Sequence, residues 1–328
     1  MKIFVISGFL GAGKTTFIQT LFEKTGIDFA VMENEYGEAG IDGAVLKRDR
    51  LKVWELTEGC ICCSLKSDFA SSILTIANTL APEYLIVEPT GVGLLSAVLQ
   101  NIGKIEYDRI QLLAPVTVAD VHCVEHYLKE FGDIYADQLK NTPRILLSKI
   151  ENTSAEELDR ITAILRTVNP DAEILNTPYQ NQPADWWYRL LQTPLNKQRT
   201  PVLPEKDHAP DLENISIAGV AADTVNELLE LLIALLRGYF GTVYRAKGFV
   251  SIGGQWTKFD IVDKQYTVAV CDPMPEAKAV IIGQKLDRER LRKAFTAVAP
   301  LSYRQYTAVQ GAEYGSKRGM SFPSLSVR

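Results

Sequence analysis

A chain of 328 residues is long enough for two domains at the usual ~100–200 residues each. Its 46% hydrophobic and 23% charged residues are an ordinary globular composition and exclude disorder along the whole length. A net charge of −5 supplies no basic field to hold nucleic acid or anionic lipid, and no run reaches the ~18 apolar residues of a membrane span. The N-terminal Met1–Gly8 stretch meets a glycine too soon for a signal peptide. The expectation is a cytoplasmic protein with neither nucleic acid nor membrane as partner. Of its five cysteines, three crowd at Cys60, Cys62 and Cys63. In a cytosolic chain such a cluster points to metal or redox chemistry rather than structural disulfides.

In chain order, residues 2–7 form a β-branched and aromatic run ending at glycine, which predicts a buried strand. Thr15–Lys24 then places Phe17, Ile18, Leu21 and Phe22 at helical spacing. Phe29–Glu33 and Leu51–Leu56 read as strands and Ser64–Leu80 as a helix. Tyr84–Val87, Val116–Ala119 and Arg144–Leu147 read as further strands. Strands alternating with helices imply an α/β fold with a doubly wound, mostly parallel sheet and helices on both faces. Between residues 177 and 212, Pro178, Pro183, Pro194, Pro201, Pro204 and Pro210 predict a linker or irregular connection. Beyond it, a strand at Ile215–Val220, a helix at Thr224–Leu236, strands near 244–252, 257–262, 266–271 and 278–283, and a helix at Asp287–Val298 predict a smaller α+β domain with an antiparallel sheet. The expected division is a first domain over 1–195, a Pro-rich linker over 196–212, a second domain over 213–300 and a tail over 301–328.

Residues 8–15, Gly8-Phe9-Leu10-Gly11-Ala12-Gly13-Lys14-Thr15, spell G-x-x-x-x-G-K-T directly after one strand and directly before a helix. That context makes the motif a phosphate-binding loop. Gly11, Ala12 and Gly13 let the backbone N–H groups turn inward, and the helix N-terminus adds partial positive charge. Lys14 is placed for the β- and γ-phosphates, the Thr15 hydroxyl for Mg²⁺, and Thr16 for the α-phosphate. Leu85-Ile86-Val87-Glu88-Pro89-Thr90-Gly91 is an apolar strand ending in an acid, so Glu88 is the candidate for holding the Mg²⁺ shell and Gly91 for meeting a γ-phosphate.

Between these lie two further segments. Glu33-Asn34-Glu35-Tyr36-Gly37-Glu38-Ala39-Gly40-Ile41-Asp42 stands where a first switch segment falls in a P-loop enzyme. Asp42 is a candidate for the attacking water, and Glu33 and Glu38 for Mg²⁺ or a second metal; a solvated acidic loop is the alternative. Glu58-Gly59-Cys60-Ile61-Cys62-Cys63 presents three soft thiolate donors on a loop. Three ligands leave a tetrahedral shell open at one position, which suits a donor of metal; a redox pair and plain packing are the alternatives. Later, Ser148-Lys149-Ile150-Glu151 resembles the guanine-recognising N-K-x-D pattern with Ser for Asn and Glu for Asp. His122 and His126 are spaced as a surface helix face, and Cys271 reads as a buried strand residue.

In this order, G-F-L-G-A-G-K-T-T, E-N-E-Y-G-E-x-G-I-D, E-G-C-I-C-C and E-P-T-G resemble the CobW-type P-loop GTPases, a group that includes zinc chaperones and nitrile hydratase activators. Val118-Ala119-Asp120 with His122, Tyr135-Ala136-Asp137-Gln138 and Arg245-Ala246-Lys247-Gly248-Phe249 add to the likeness, which spans about residues 2–298. The resemblance implies slow hydrolysis of GTP to GDP with Mg²⁺, coupled to delivery of zinc, cobalt or nickel to a client protein. The protein acting would be a monomer or a nucleotide- or metal-dependent homodimer. The chain departs from the pattern at S-K-I-E and in having three histidines. A nucleotide-bound zinc store or sensor and a thiol-regulated ATPase are the competing functions, and no arginine finger is assignable.

Overall fold

The computed structural model describes residues 1–33, 52–55, 66–196, 201–202, 212–262 and 264–296. The first unit runs β1 (Lys2–Ser7), α1 (Lys14–Thr25), β2 (Phe29–Glu33), β3 (Lys52–Glu55), α2 (Lys66–Thr79), β4 (Tyr84–Glu88), α3 (Leu95–Gly103), β5 (Gln111–Leu112), β6 (Val116–Asp120), α4 (Val124–Glu130), α5 (Gly132–Lys140), β7 (Arg144–Ser148), α6 (Ala155–Val168) and β8 (Glu173–Leu175). Its sheet has the order β3-β2-β4-β1-β6-β7-β8, with β5 beside β1, and every named pairing is parallel. β2, β4 and β6 are buried at every position. Helices cover both faces, which is why these strands are continuous apolar runs rather than alternating ones. On one face Phe4 and Ile6 meet Phe17, Ile18 and Leu21 of α1. On the other, Ile3 and Val5 meet Ile73 and Ile76 of α2 and Leu95 and Val98 of α3.

The sequence predicts irregular chain from residue 177, and there the structure differs. A 3-10 turn at Tyr179–Asn181 and a helix α7 (Ala184–Leu190) follow Pro178 and Pro183 directly. Proline in front of a helical turn lacks only an N–H that would be unsatisfied anyway. Tyr179, Trp186, Trp187, Leu190 and Leu191 all enter the core against α1, with Trp187 wholly buried and its ring 5.4 Å from Phe17. Further on, Val202 is pinned by two hydrogen bonds to the Asn141 side chain.

The second unit runs β9 (Glu213–Ala218), α8 (Val225–Leu236), β10 (Thr242–Ile252), β11 (Gln255–Val262), β12 (Gln265–Val270), β13 (Lys278–Gln284) and α9 (Arg288–Thr296). Thr224 starts α8 through a capping box with Glu227. The sheet is antiparallel in the order β12-β11-β10-β13-β9. Ala246, Val250, Phe259, Ile261 and Ile281 on one face pack against Leu228, Leu231 and Leu232 of α8 and Leu291 and Phe295 of α9. Cys271 lies just past β12 and is half-buried, its N–H donated to Trp256 O at 2.9 Å. Among the described residues no helix is long and apolar enough to cross a membrane.

The candidate nucleotide and metal site

The loop between β1 and α1 hands its last residue, Gly13, to α1 as a cap with no side chain to offer. The helix's first N–H groups therefore face the loop rather than a capping oxygen. Lys14, buried, donates from Nζ to Gly8 O at 3.0 Å and lies 3.8 Å from Glu88 Oε1. Its charge is thus held where the loop wraps inward. Glu88 ends β4, and Glu33 ends the neighbouring β2 directly opposite it in the ladder. Both carboxylates are buried and both face the same cavity as Lys14 and Thr15.

The turn after Glu88 rides on the loop. A Cβ on Gly91 would lie 2.8 Å from Leu10 N, so no larger residue fits without displacing the loop. The turn is held from below by Gln138, whose Nε2 donates to Gly91 O at 3.0 Å and Gly93 O at 2.9 Å. Asp137 beside it accepts from Ser96 N at the start of α3. Burial pushes its carboxyl above the usual range, against the lowering effect of the bonds from Ser96. Asp137 and Gln138 thus hold the turn that carries Gly91 and the start of α3. In the sequence their role shows only as part of a family likeness.

At the ends of β6 and β7, Ser148 Oγ donates to Ala12 O at 2.7 Å and to Ala119 O at 3.3 Å. Ser148 therefore braces the loop from behind and does not face the cavity. Lys149 adopts a left-handed backbone, φ 59°, and its Nζ meets Asp120 Oδ2 at 2.6 Å on the cavity wall. A non-glycine residue held in this region is strained, and such strain gathers at functional sites. Glu151 is exposed and off the cavity wall. His122 lines the cavity, but α4 begins only at Val124, so His122 and His126 share no helix face; His126 instead faces Glu130 at 3.2 Å. Cys123 is buried in the core beside Phe9.

The cavity, about 480 Å³, is walled on its other side by the second unit. Arg245, Lys247, Lys258, Asp260, Val262, Gln265 and Thr267 project from the sheet face opposite α8 and α9 and line it. Contact is close, since a Cβ on Gly11, whose φ is already 72°, would lie 2.5 Å from Val262 Cγ1. Two further contacts tie the units together: Tyr244 packs edge-on to Phe131 at 4.8 Å and its hydroxyl lies 3.1 Å from Glu130 Oε1.

The structure thus brings Gly11, Ala12, Gly13, Lys14, Thr15, Thr16, Glu33, Glu88, Gly91 and Lys149 to one cavity. The Thr15 hydroxyl and the Glu33 and Glu88 carboxylates are hard oxygen donors of the kind Mg²⁺ takes, so the residues present fit that ion. Glu38, Asp42, Cys60, Cys62 and Cys63 lie outside the described residues. Among the described residues no group of three or more His, Cys, Asp and Glu is set to hold a metal.

The model of the CobW/HypB/UreG nucleotide-binding domain matches residues 2–176, and that of the cobalamin synthesis protein CobW C-terminal domain matches residues 221–299. The zinc chaperone YjiA of Escherichia coli is 26% identical over 316 residues, covering 91% of this chain and 98% of its own. The zinc-regulated GTPase metalloprotein activator 1 of Dictyostelium discoideum is 27% identical over 216 residues, covering 54% of this chain and 46% of its own. Among solved structures, zinc(II)-bound YjiA GTPase from E. coli aligns over 89% of this chain and 96% of its own, at 21% identity and a TM-score of 0.43.

Proposed function

Because the chain belongs to the CobW/HypB/UreG family of nucleotide-binding proteins and carries the CobW C-terminal domain behind it, we propose that it couples hydrolysis of GTP to GDP and phosphate to the binding and delivery of a metal ion to a client protein. The observation that carries this reading is the pairing of Glu33 with Glu88 at the ends of β2 and β4. Glu88 stands beside Lys14 in the phosphate site. Glu33 is the residue from which the segment bearing Glu38 and Asp42 departs. The buried Glu33 on the cavity wall supports a reading in which one carboxylate serves both the nucleotide site and the cargo metal.

In this reading Lys14 holds the β- and γ-phosphates, and Thr15 and Glu88 would hold Mg²⁺, which would supply positive charge to offset that of the phosphates. Lys149 flanks the base from the cavity wall, and Glu151, exposed just beyond that wall, is the acid that reads the base's edge. Cys60, Cys62 and Cys63 bind the cargo with Glu33 or Glu38, and Asp42 orients the attacking water. Zinc is preferred over cobalt or nickel as cargo because thiolates suit it and the relatives above are named for it. The GTPase unit spans 1–195, the linker 196–212 and the C-terminal unit 213–300, and the protein works in the cytoplasm.

Turnover with GTP and with ATP, each with and without Zn²⁺, tests the proposal. Wild-type protein is expected to hydrolyse GTP slowly and in preference to ATP. Lys14→Ala is expected to weaken nucleotide binding by about a hundredfold or more, the cost of losing a buried charge contact, with its circular dichroism unchanged. No turnover under any condition would favour a zinc store, and metal-indifferent turnover of ATP a thiol-regulated ATPase.

A further inference from the structure

We propose that Arg245, with Lys247 beside it, reaches from the C-terminal sheet to the terminal phosphate of the bound nucleoside triphosphate, so that the second unit completes the phosphate site in cis. The inference rests on the GTPase reading above and deepens it.

Arg245 and Lys247 are two residues apart on β10 and so project from the same face. The residue between them, Ala246, points the other way into the helix-covered core. The face that carries the cations is turned to the phosphate loop. Arg245 is paired across the ladder with Val262, and Val262 is the residue that crowds Gly11. Cross-strand partners stand ~5 Å apart, so Arg245 sits one strand spacing from the loop that wraps the β- and γ-phosphates. Lys247 is 4% exposed and the Arg245 side chain 14%. These are two cations largely withdrawn from water, on a wall whose opposite side carries Lys14 and the α1 N-terminus.

A guanidinium matches phosphate oxygens in a planar fork. A cation aimed at the transferring phosphoryl group, supplied within the same chain or by a partner, is what unaided P-loop enzymes lack. The competing role for Arg245 is purely structural, through its 3.8 Å ion pair with Asp260.

The two roles separate in the full-length chain with Arg245→Ala and Asp260→Asn, using single-turnover GTP hydrolysis and binding of fluorescent GDP and a non-hydrolysable GTP analogue. Arg245→Ala is expected to slow hydrolysis by about tenfold or more, as loss of a phosphoryl-directed arginine does, and to weaken the analogue more than GDP. Asp260→Asn, which breaks the ion pair but keeps the cation, is expected to slow hydrolysis clearly less than Arg245→Ala does. Hydrolysis by Arg245→Ala at the wild-type rate overturns the proposal, as does equal slowing in both variants with parallel loss of thermal stability. Should Arg245→Ala fail to fold, hydrogen exchange on the wild-type chain decides. Amides of β10 and β11 are expected to be better protected with the analogue than with GDP, and equal protection overturns the proposal. A wild-type chain that hydrolyses no GTP refutes the GTPase reading itself, whereas wild-type turnover with an unaffected Arg245→Ala refutes only the arginine's role.

Discussion

Ser148 and Glu151 occupy one four-residue motif but do separate work. Ser148 is buried and holds the phosphate loop by its Ala12 carbonyl, while Glu151 is exposed and on no part of the cavity wall. Ser148→Ala should therefore weaken GDP, GTP and ATP alike, by about fivefold for one hydrogen bond worth ~1 kcal/mol. Glu151→Ala should leave ATP affinity unchanged and reduce only the preference for guanine. Competition binding of the three nucleotides to each variant checks both. A change of base preference in Ser148→Ala would show that the serine reads the base. Residues of this kind are legible when they are contiguous: Gly8 to Thr16 contain their whole geometric requirement in nine positions. The supports are not, because the reach of Gln138 to Gly91 and of Ser148 to Ala12 is set by tertiary packing.

At the scale of elements, α7 shows why proline density misleads. Pro178 and Pro183 start helical turns rather than prevent them, and the signal to weigh against them is the aromatic content of the same stretch. Trp187 is fully buried between Phe17 and Tyr179, with ring centroids 5.4 and 6.2 Å away. Truncating such a side chain costs ~3–5 kcal/mol. Trp187→Ala is therefore expected to lower the urea midpoint of the first unit by that equivalent, and a loss under about 1 kcal/mol would contradict the packing. The strands of the first unit are legible because sheets covered on both faces demand unbroken apolar runs. The helices α3, α4, α5 and α6 are not among the elements expected from the sequence, although Ser154 accepts from Glu157 N at the head of α6 and Ile161 and Leu165 follow at helical spacing. That start signal is present in the sequence. The short α4 and α5 offer only two or three turns against which to recognise a period.

For the molecule as a whole, the alternation along β10 and β11 gives one apolar and one charged face, and such a charged face ordinarily meets water. Here it meets the nucleotide cavity instead. Docking of one unit on another leaves no periodic trace in the sequence, so the second wall of the site was the least legible part of it. Under the proposed function, a nucleotide held between the loop and the C-terminal sheet would have two ways to be felt elsewhere. One runs through Arg245 and β10, the other through Glu33 into the segment that carries Glu38 and Asp42.

The second route makes a thermodynamic demand. If nucleotide state changes zinc affinity, zinc must change nucleotide affinity by the same factor. The direct measurement is zinc affinity of the full chain, by competition with a chromophoric chelator, in the nucleotide-free, GDP-bound and GTP-analogue-bound states. It is paired with analogue affinity with and without zinc. The account predicts that the GDP and analogue states differ by about 5–150-fold, a coupling of ~1–3 kcal/mol, and that the reciprocal shift matches. It also predicts that the effect disappears when Cys62 and Cys63 are both changed to Ser. Equal zinc affinities in all three states would contradict it, leaving a static metal site beside an unrelated GTPase.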